Sequence, residues 1–433
     1  MTSSLMDGIK DLILSLKTPA VFHGNICEWD FVKWSEEEWC NLFGEKPVPF
    51  RCGPKKCSRS PQWERTCKTE NMTMRNFFQS AKNINADSWQ YFDYKYLNEW
   101  LKDSDAFEAL SWAKLGFPEL KRDESTLWIG SPGAHTPCHM DSYGCNLVAQ
   151  VHGHKQWILF PQSESAKLEM TRLPYEESSV YSALNFYAPI KNLNDSLDQV
   201  YIVTLSPGDV LVVPHHWWHY VENLDTAIAI NTWIPVTGDD DCRLDEALVR
   251  FFVAQATAEL SPAQWFKLIN PNEDSLKTEQ LSTSLNLIKV CLRKVQEALT
   301  VSQISNQNSD VMSVKNEDFV DLSETNEHKY EVSNKRRKLS LDNLVLSSSS
   351  ASGGMSEKVD FKMLEKSGLC DLKNILNAKC KCDSEEEHIK VMDTVQDTDS
   401  VMEVLPAVIN AFCHPDVLKT VKSILQQQTC VRL

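Results

Sequence analysis

No stretch of this chain approaches the ~20 uninterrupted apolar residues that a membrane-spanning helix needs, so no segment reads as one. A basic surplus is missing too. Against 60 Asp and Glu stand 44 Lys and Arg, and a net charge of -16 repels phosphate backbones and anionic lipid. That weighs against nucleic acid as a partner and leaves room for a local basic groove at most. A signal-like apolar core is also lacking. Asp7 and Asp11 interrupt residues 4–16, which read instead as an amphipathic surface helix. On that footing the expected placement is cytoplasmic, with the fourteen cysteines as reduced thiols. Cys52, Cys57 and Cys67 have no fourth ligand at zinc spacing, and Cys380-Lys381-Cys382 with His388 is weaker still, so neither group reads as a zinc site.

What the chain does have is core-forming material. Hydrophobic residues make up 42% of 433, with thirteen Trp and seventeen Phe, enough for one main domain plus smaller pieces. Residues 1–125 read as a mixed helix and strand segment. Pro19–Phe22 is a strand candidate, Ser35 caps a helix with an acidic first turn, and Asp105–Leu115 is a further helical stretch. From Leu127 the period changes. Short β-rich runs at Leu127–Ile129, Asn146–Val151, Gln156–Phe160, Val200–Leu205, Asp209–Val213, Trp217–Val221 and Ala227–Ile234 alternate with Gly- and Pro-containing turns. Many short strands without long helices between them predict a sandwich or barrel over 126–240. Gln162–Gln199 is polar and reads as an excursion over the surface.

Residues 241–302 turn helical, with a stripe of Leu244, Leu248, Phe251 and Phe252 and a capped start at Ser261-Pro262. The Ser-rich, charged stretch 303–358 reads as a disordered linker. Its basic cluster Asn334–Lys338 is a candidate nuclear import signal through Lys335–Lys338, or a kinase-recognition stretch before Ser340. Residues 359–433 read as a small helical tail, from patterns such as Phe361–Leu364 and Val401–Phe412.

The chemistry concentrates in a few runs. His139-Met140-Asp141 puts two metal-competent side chains on one side of a strand, because residues two apart share a face. His219 lies far along the chain in Pro214-His215-His216-Trp217-Trp218-His219-Tyr220. Two imidazoles and one carboxylate form the facial set of non-haem Fe(II) oxygenases, which leaves open positions on the metal. The adjacent His215 and His216 are out of step with that set and read as structural or rim residues.

Taken with Thr136-Pro137-Cys138, the run from Asn146 through Gly153-His154-Lys155 to Pro161, Pro207-Gly208-Asp209, and Ile230-Asn231-Thr232-Trp233, these residues resemble the JmjC family of 2-oxoglutarate-dependent oxygenases. The resemblance implies a mostly β core with flanking helices, a double-stranded β-helix (cupin barrel) followed by a C-terminal helical region. It implies Fe(II) held by His139, Asp141 and His219, with 2-oxoglutarate and O2 as co-substrates. Lys155 would pair with the far carboxylate of 2-oxoglutarate, helped by Thr136, with Asn146 and Asn231 beside it. An upstream tyrosine completes that site in relatives; Tyr91, Tyr94 and Tyr96 are candidates, and Tyr94 is preferred. The spacing from Asp141 to Asn146 is one residue longer than in the hydroxylase members, and a bulge at Gly144 would absorb it. The resemblance favours hydroxylation of a protein side chain over demethylation, since no chromatin-reader or Cys-rich zinc module is visible. It also implies a small heat-shock protein as a partner, and helices after the barrel that could mediate a homodimer. The alternatives are a non-catalytic binding protein regulating such a chaperone, and an RNA-base hydroxylase.

Overall fold

A computed structural model describes residues 3–260, 280–313, 359–379 and 400–430, apart from 59, 84, 102–104, 171–178, 188 and 190–196. Its strands in chain order are β1 (Ala20–Phe22), β2 (Val48–Pro54), β3 (Lys68–Met72), β4 (Ser88–Tyr96), β5 (Thr126–Gly130), β6 (His135–Asp141) and β7 (Cys145–His152). Then come β8 (Lys155–Phe160), β9 (Ser179–Tyr181), β10 (Tyr201–Leu205), β11 (Val210–Val213), β12 (Trp218–Asn223), β13 (Ala227–Ile234) and β14 (Phe361–Met363). The helices are α1 (Ser3–Ser15), α2 (Glu36–Phe43), α3 (Met74–Ala81), α4 (Leu97–Trp100), α5 (Asp239–Ala256), α6 (Leu281–Ser313), α7 (Leu369–Lys379), α8 (Ser400–Phe412) and α9 (Pro415–Cys430). No helix among the described residues is long and apolar enough to cross a membrane.

The short strands assemble into the two antiparallel sheets of a double-stranded β-helix. One has nine strands in the order β14-β1-β11-β7-β13-β5-β4-β2-β3, the other five in the order β10-β8-β12-β6-β9. Chain neighbours β6 and β7 sit in different sheets. The corner between them is Ser142-Tyr143-Gly144, with Gly144 at φ +72° and a Cβ there set to meet the Ile234 carbonyl at 3.0 Å. The extra residue expected as a bulge is therefore part of this turn. The N-terminal strands β1 to β4 belong to the nine-stranded sheet, so the first segment is continuous with the barrel.

Burial follows the pattern of the strands. β7, β11 and β13 are buried on both faces because helices and the second sheet cover them, and Leu147, Val212 and Ile230 are fully buried. A cluster of Trp29, Phe31, Trp39, Phe107 and Trp112 fills the space under the N-terminal helices. Ser35 caps α2 as expected. Its backbone N–H donates to Glu38 at 2.6 Å, and its hydroxyl accepts from the Glu38 N–H at 3.4 Å.

Several expectations need correction. Asp105–Leu115 is two single turns of 3-10 helix, Asp105–Phe107 and Ala113–Leu115, because packing of Phe107, Trp112 and Leu115 into the aromatic cluster overrides a weak helical pattern. Phe361–Met363 is a strand rather than a helix, paired with the open edge of β1, where Phe361 stacks on Phe22 at 5.1 Å. α6 runs on to Ser313, past the boundary expected at 302. Segment 162–199 contributes β9 and the buried Phe186 and Tyr187, so its described part is not merely superficial. Cys57 is disulfide-bonded, whereas a free thiol was expected. The Ser261-Pro262 start, the linker from 314 to 358 and the basic Lys335–Lys338 lie outside the described residues.

Candidate metal centre

Strand pairing brings the distant histidine to the His-x-Asp pair. β6 and β12 are antiparallel neighbours, and His219 lies directly opposite His139. Their ring centroids are 4.1 Å apart. Asp141 follows two residues on from His139, and its Oδ1 is 3.6 Å from His139 Nε2. One donor atom from each of His139, Asp141 and His219 falls within 4.8 Å of the other two. A β-bulge lies between this pair and Val221↔Thr136, and it is there that Pro137, which has no N–H to offer a ladder, is accommodated in the strand.

The second layer of contacts fixes which atoms face the site. His139 Nδ1 donates to the Pro137 carbonyl at 2.9 Å, and His219 Nδ1 to the Trp217 carbonyl at 3.1 Å. A carbonyl can only accept, so both rings carry the proton on Nδ1 and present Nε2 lone pairs. Asp141 Oδ2 accepts from Trp233 Nε1 at 2.9 Å and from Asn146 Nδ2 at 3.4 Å, while Ser179 Oγ donates to Oδ1 at 3.5 Å. Burial alone would raise the Asp141 pKa, but His219, His139 and these hydrogen bonds outweigh it and hold the carboxyl below its usual range. Burial and the neighbouring His139 push His219 down to about 4, so its imidazole is neutral at neutral pH. A neutral ring and an ionised carboxylate are the forms that ligate a metal. The chemistry of the donor set fits a divalent transition ion such as Fe(II) with positions left over.

The triad lines a pocket, and Lys155 lines it too. Only 2% of Lys155 is exposed, and among the described residues no carboxylate lies within ion-pair distance of it. Its Nζ donates to Tyr91 Oη at 3.1 Å and sits 5.2 Å and 5.9 Å from the Tyr91 and Trp128 ring centroids. Burial drives its pKa down to about 7, with Asp93 pulling the other way. A buried cation without an anion, beside an open cavity, is the chemistry of an anion site.

The structure separates the other expected residues. Thr136 lines the pocket and is hydrogen-bonded to Tyr91. Asn146 and Asn231 form a relay. Trp128 Nε1 donates to Asn231 Oδ1 at 2.7 Å, Asn231 Nδ2 to Asn146 Oδ1 at 2.9 Å, and Asn146 reaches Asp141. Tyr94, the preferred tyrosine, lines the pocket and bonds to Tyr96 at 3.1 Å; Tyr91 lines it too and is the one on Lys155. A bulge on β4 between Phe92 and Lys95 is the reason. It inserts one residue against β5, puts Tyr94 at φ +53°, and so turns both Tyr91 and Tyr94 toward the cavity.

Glu64, Ser179 and Tyr181 also line the cavity and were not found by the sequence reading. Tyr181 lies 5.6 Å from the His139 ring and meets Trp63 edge-on at 5.9 Å. Glu64 is on a 3-10 turn and 4.0 Å from the buried Arg51, whose main partner is Asp93 at 2.7 Å. No periodicity marks a turn residue or a three-residue strand inside a polar segment, which is why these escaped notice.

Residues 8–236 match the cupin-like domain family. The chain is 40% identical over 292 residues to HSPB1-associated protein 1 of Homo sapiens, covering 64% of this chain and 59% of that protein. It is 36% identical over 304 residues to the HSPB1-associated protein 1 homolog of Danio rerio, covering 66% and 68%. A more distant likeness, 27% over 235 residues, is to lysine-specific demethylase 8 of Xenopus tropicalis, covering 53% and 50%. The chain thus spans 58% to 62% of the length of the mammalian relatives it matches.

Proposed function

The chain belongs to the cupin-like (JmjC) domain family, and from that membership we propose that it is an Fe(II)- and 2-oxoglutarate-dependent dioxygenase that hydroxylates a protein side chain. The observation that carries this reading is the pairing of an Nε2, Nε2, carboxylate donor set with a buried, anion-free Lys155 in one cavity. Iron held there would supply O2 activation coupled to decarboxylation of the keto acid. The protein's own part is positional. Pro137 and Trp217 carbonyls orient the imidazoles, while Trp233 and Asn146 orient Asp141. Lys155, with Tyr91 and Thr136, offers the far carboxylate a charge-assisted bond and two hydroxyls. Trp157, Val221 and Ala229 line the same cavity with apolar surface and keep bulk water from the reacting atoms.

The names of the relatives extend the proposal to a partner. A small heat-shock protein would be bound by this chain in the stress response, either as substrate or as the client of a binding surface outside the barrel. The same names favour a second reading, a binding protein that regulates such a chaperone without turnover. A homodimer through the helices after the barrel completes the proposal. On α6, Leu281, Leu285, Val290 and Leu299 are about half exposed.

Turnover separates the two readings. The full chain is incubated with Fe(II), O2 and labelled 2-oxoglutarate, and succinate is measured. The oxygenase reading expects succinate from wild type and background from His139→Ala and Asp141→Ala. Equal signals in wild type and both variants, with chaperone binding intact in all three, would leave the binding reading standing and the enzyme reading overturned.

A further inference from the structure

A second group of metal-competent side chains gathers three residues before His219 on the chain. The turn Pro214-His215-His216-Trp217 leads into β12, and the ring centroids of the consecutive His215 and His216 lie 3.6 Å apart. His216 has φ +63°, a left-handed conformation that a residue with a Cβ rarely adopts. From there its Nε2 reaches the first turns of α5, 3.8 Å from Cys242 Sγ. One donor atom from each of His215, His216 and Cys242 lies within 4.8 Å of the other two.

We propose that His215, His216 and Cys242 form a second metal site, separate from the triad, that takes Zn(II) or another borderline divalent ion through two imidazoles and one thiolate. The donor set selects the ion class. A thiolate with two imidazoles suits Zn(II), Co(II) and Ni(II) and is poor for Mg(II) or Ca(II), which prefer oxygen. Distance supports it as well. Tetrahedral coordination with Zn–N of about 2.0 Å and Zn–S of about 2.3 Å places nitrogen and sulfur donors about 3.5 Å apart. The 3.8 Å between His216 Nε2 and Cys242 Sγ is within a few tenths of that.

The surroundings set the ligand atoms and the coordination number. His215 Nε2 donates to the Ser142 carbonyl at 3.0 Å, which leaves its other ring nitrogen unprotonated. The Gln162 amide nitrogen lies 3.3 Å from His216 Nδ1, and turning that amide over puts its oxygen there instead, to accept from Nδ1–H and free Nε2 for the ion. Asp239 is near, 3.9 Å from His215, but both its oxygens are used. They accept the backbone N–H groups of Gly144 and Val236, each at 2.9 Å. The fourth position therefore falls to water or an exogenous ligand. Binding exchanges the Cys242 thiol proton for the ion, so one S–H bond is lost, one metal–sulfur bond forms and one proton is released per ion. Such an ion would tie the turn that precedes His219 to α5. This site stands whether or not the triad turns over.

Co(II) titration of the full chain tests it by absorbance. Thiolate ligation gives a near-ultraviolet sulfur-to-Co(II) charge-transfer band, and the triad, having no sulfur, is silent there. The expected result is a band that saturates at one equivalent in Asp141→Ala, where the triad no longer competes for the ion, needs no more than two equivalents in wild type, and is lost in Cys242→Ser. His216→Ala should weaken Co(II) binding in that band at least tenfold. Co(II) d–d absorption at the triad in Cys242→Ser shows that the variant is folded. No band in wild type overturns the site, and so does a band that persists in Cys242→Ser, which would assign it to another cysteine.

Discussion

Burial takes the Lys155 ammonium out of water with the Tyr91 phenol as its hydrogen-bond partner among the described residues, and its pKa falls from 10.5 to about 7. Between those two values the unfolded chain binds the extra proton, so stability rises with pH across that window and Lys155 costs stability below it. Lys155→Met should flatten that slope and raise the urea midpoint of the ligand-free protein at pH 7. The same substitution should weaken 2-oxoglutarate binding by about 1.5–3 kcal/mol, roughly 10- to 150-fold, the worth of a charge-assisted bond. Binding of the dianion at pH 8 should draw a proton from solution onto Lys155. Calorimetry in buffers of different ionisation heat reads that uptake, and uptake in wild type equal to that in Lys155→Met would refute the role. Trp233 is a positioning residue, since its indole N–H reaches Asp141 Oδ2 at 2.9 Å. Trp233→Phe keeps the ring and deletes the donor, and it should lower Fe(II) affinity by roughly 10- to 100-fold in a metal-competition titration. Most of this site was legible in the sequence because strand parity groups His139 with Asp141 and Lys155 with Trp157. Tyr91 stood among three candidate tyrosines but could not be singled out, because the bulge at Asp93 and Tyr94 resets parity and no local signal announces it.

At the scale of elements, residues 359–379 act as a strap across both sheets. β14 completes the edge of β1, and the Leu364 N–H donates to the Pro19 carbonyl at 2.9 Å. Ser367 then bonds to Val200 at 2.8 Å and to Ile202 at 3.0 Å, beside the edge strand of the other sheet. α7 buries Leu372 and Leu376 in the cluster of Ile158, Phe160, Phe186 and Tyr220, and Lys379 pairs with the buried Glu222. In sequence this segment resembles a helical tail because a three-residue strand carries no period of its own. Its conformation comes from the bare edge it covers. A chain ending at 313 should therefore lose stability and self-associate through the exposed β1 edge, whereas one ending at 379 should fold. Within the full chain Leu376→Ala should cost about 2–5 kcal/mol, the range for deleting a buried leucine side chain. Denaturant unfolding of the variant checks this, and an unchanged midpoint would mean that α7 is not docked in solution.

Over the whole molecule, barrel and helices are joined through α5. Asp239 in its first turn holds the Gly144 corner beside Asp141, and farther along Leu244, Ala247 and Leu248 pack on Ile288, Cys291, Leu292 and Val295 of α6. α9 is fastened to the same helix by Lys422, which donates to Asp241 at 2.5 Å and to Asp245 at 2.8 Å. The barrel was legible from its punctuated strand pattern. The helical layer was legible only as amphipathic stretches, because which faces meet is decided by contacts between residues far apart in sequence. One face is left over. Leu281 and Leu285, one turn apart on α6, remain about half exposed while Ile288 and Leu292 are buried. Two exposed leucines in line are a small patch for a chain of net charge -16, whose self-repulsion opposes association. Apolar contact must therefore outweigh charge, and added salt should strengthen the dimer by screening the repulsion. Light scattering of the 49.4 kDa chain should give twice that mass at physiological salt, and Leu285→Glu should return it to the monomer without a change in melting temperature. A wild-type mass equal to one chain at all protein and salt concentrations would rule the dimer out.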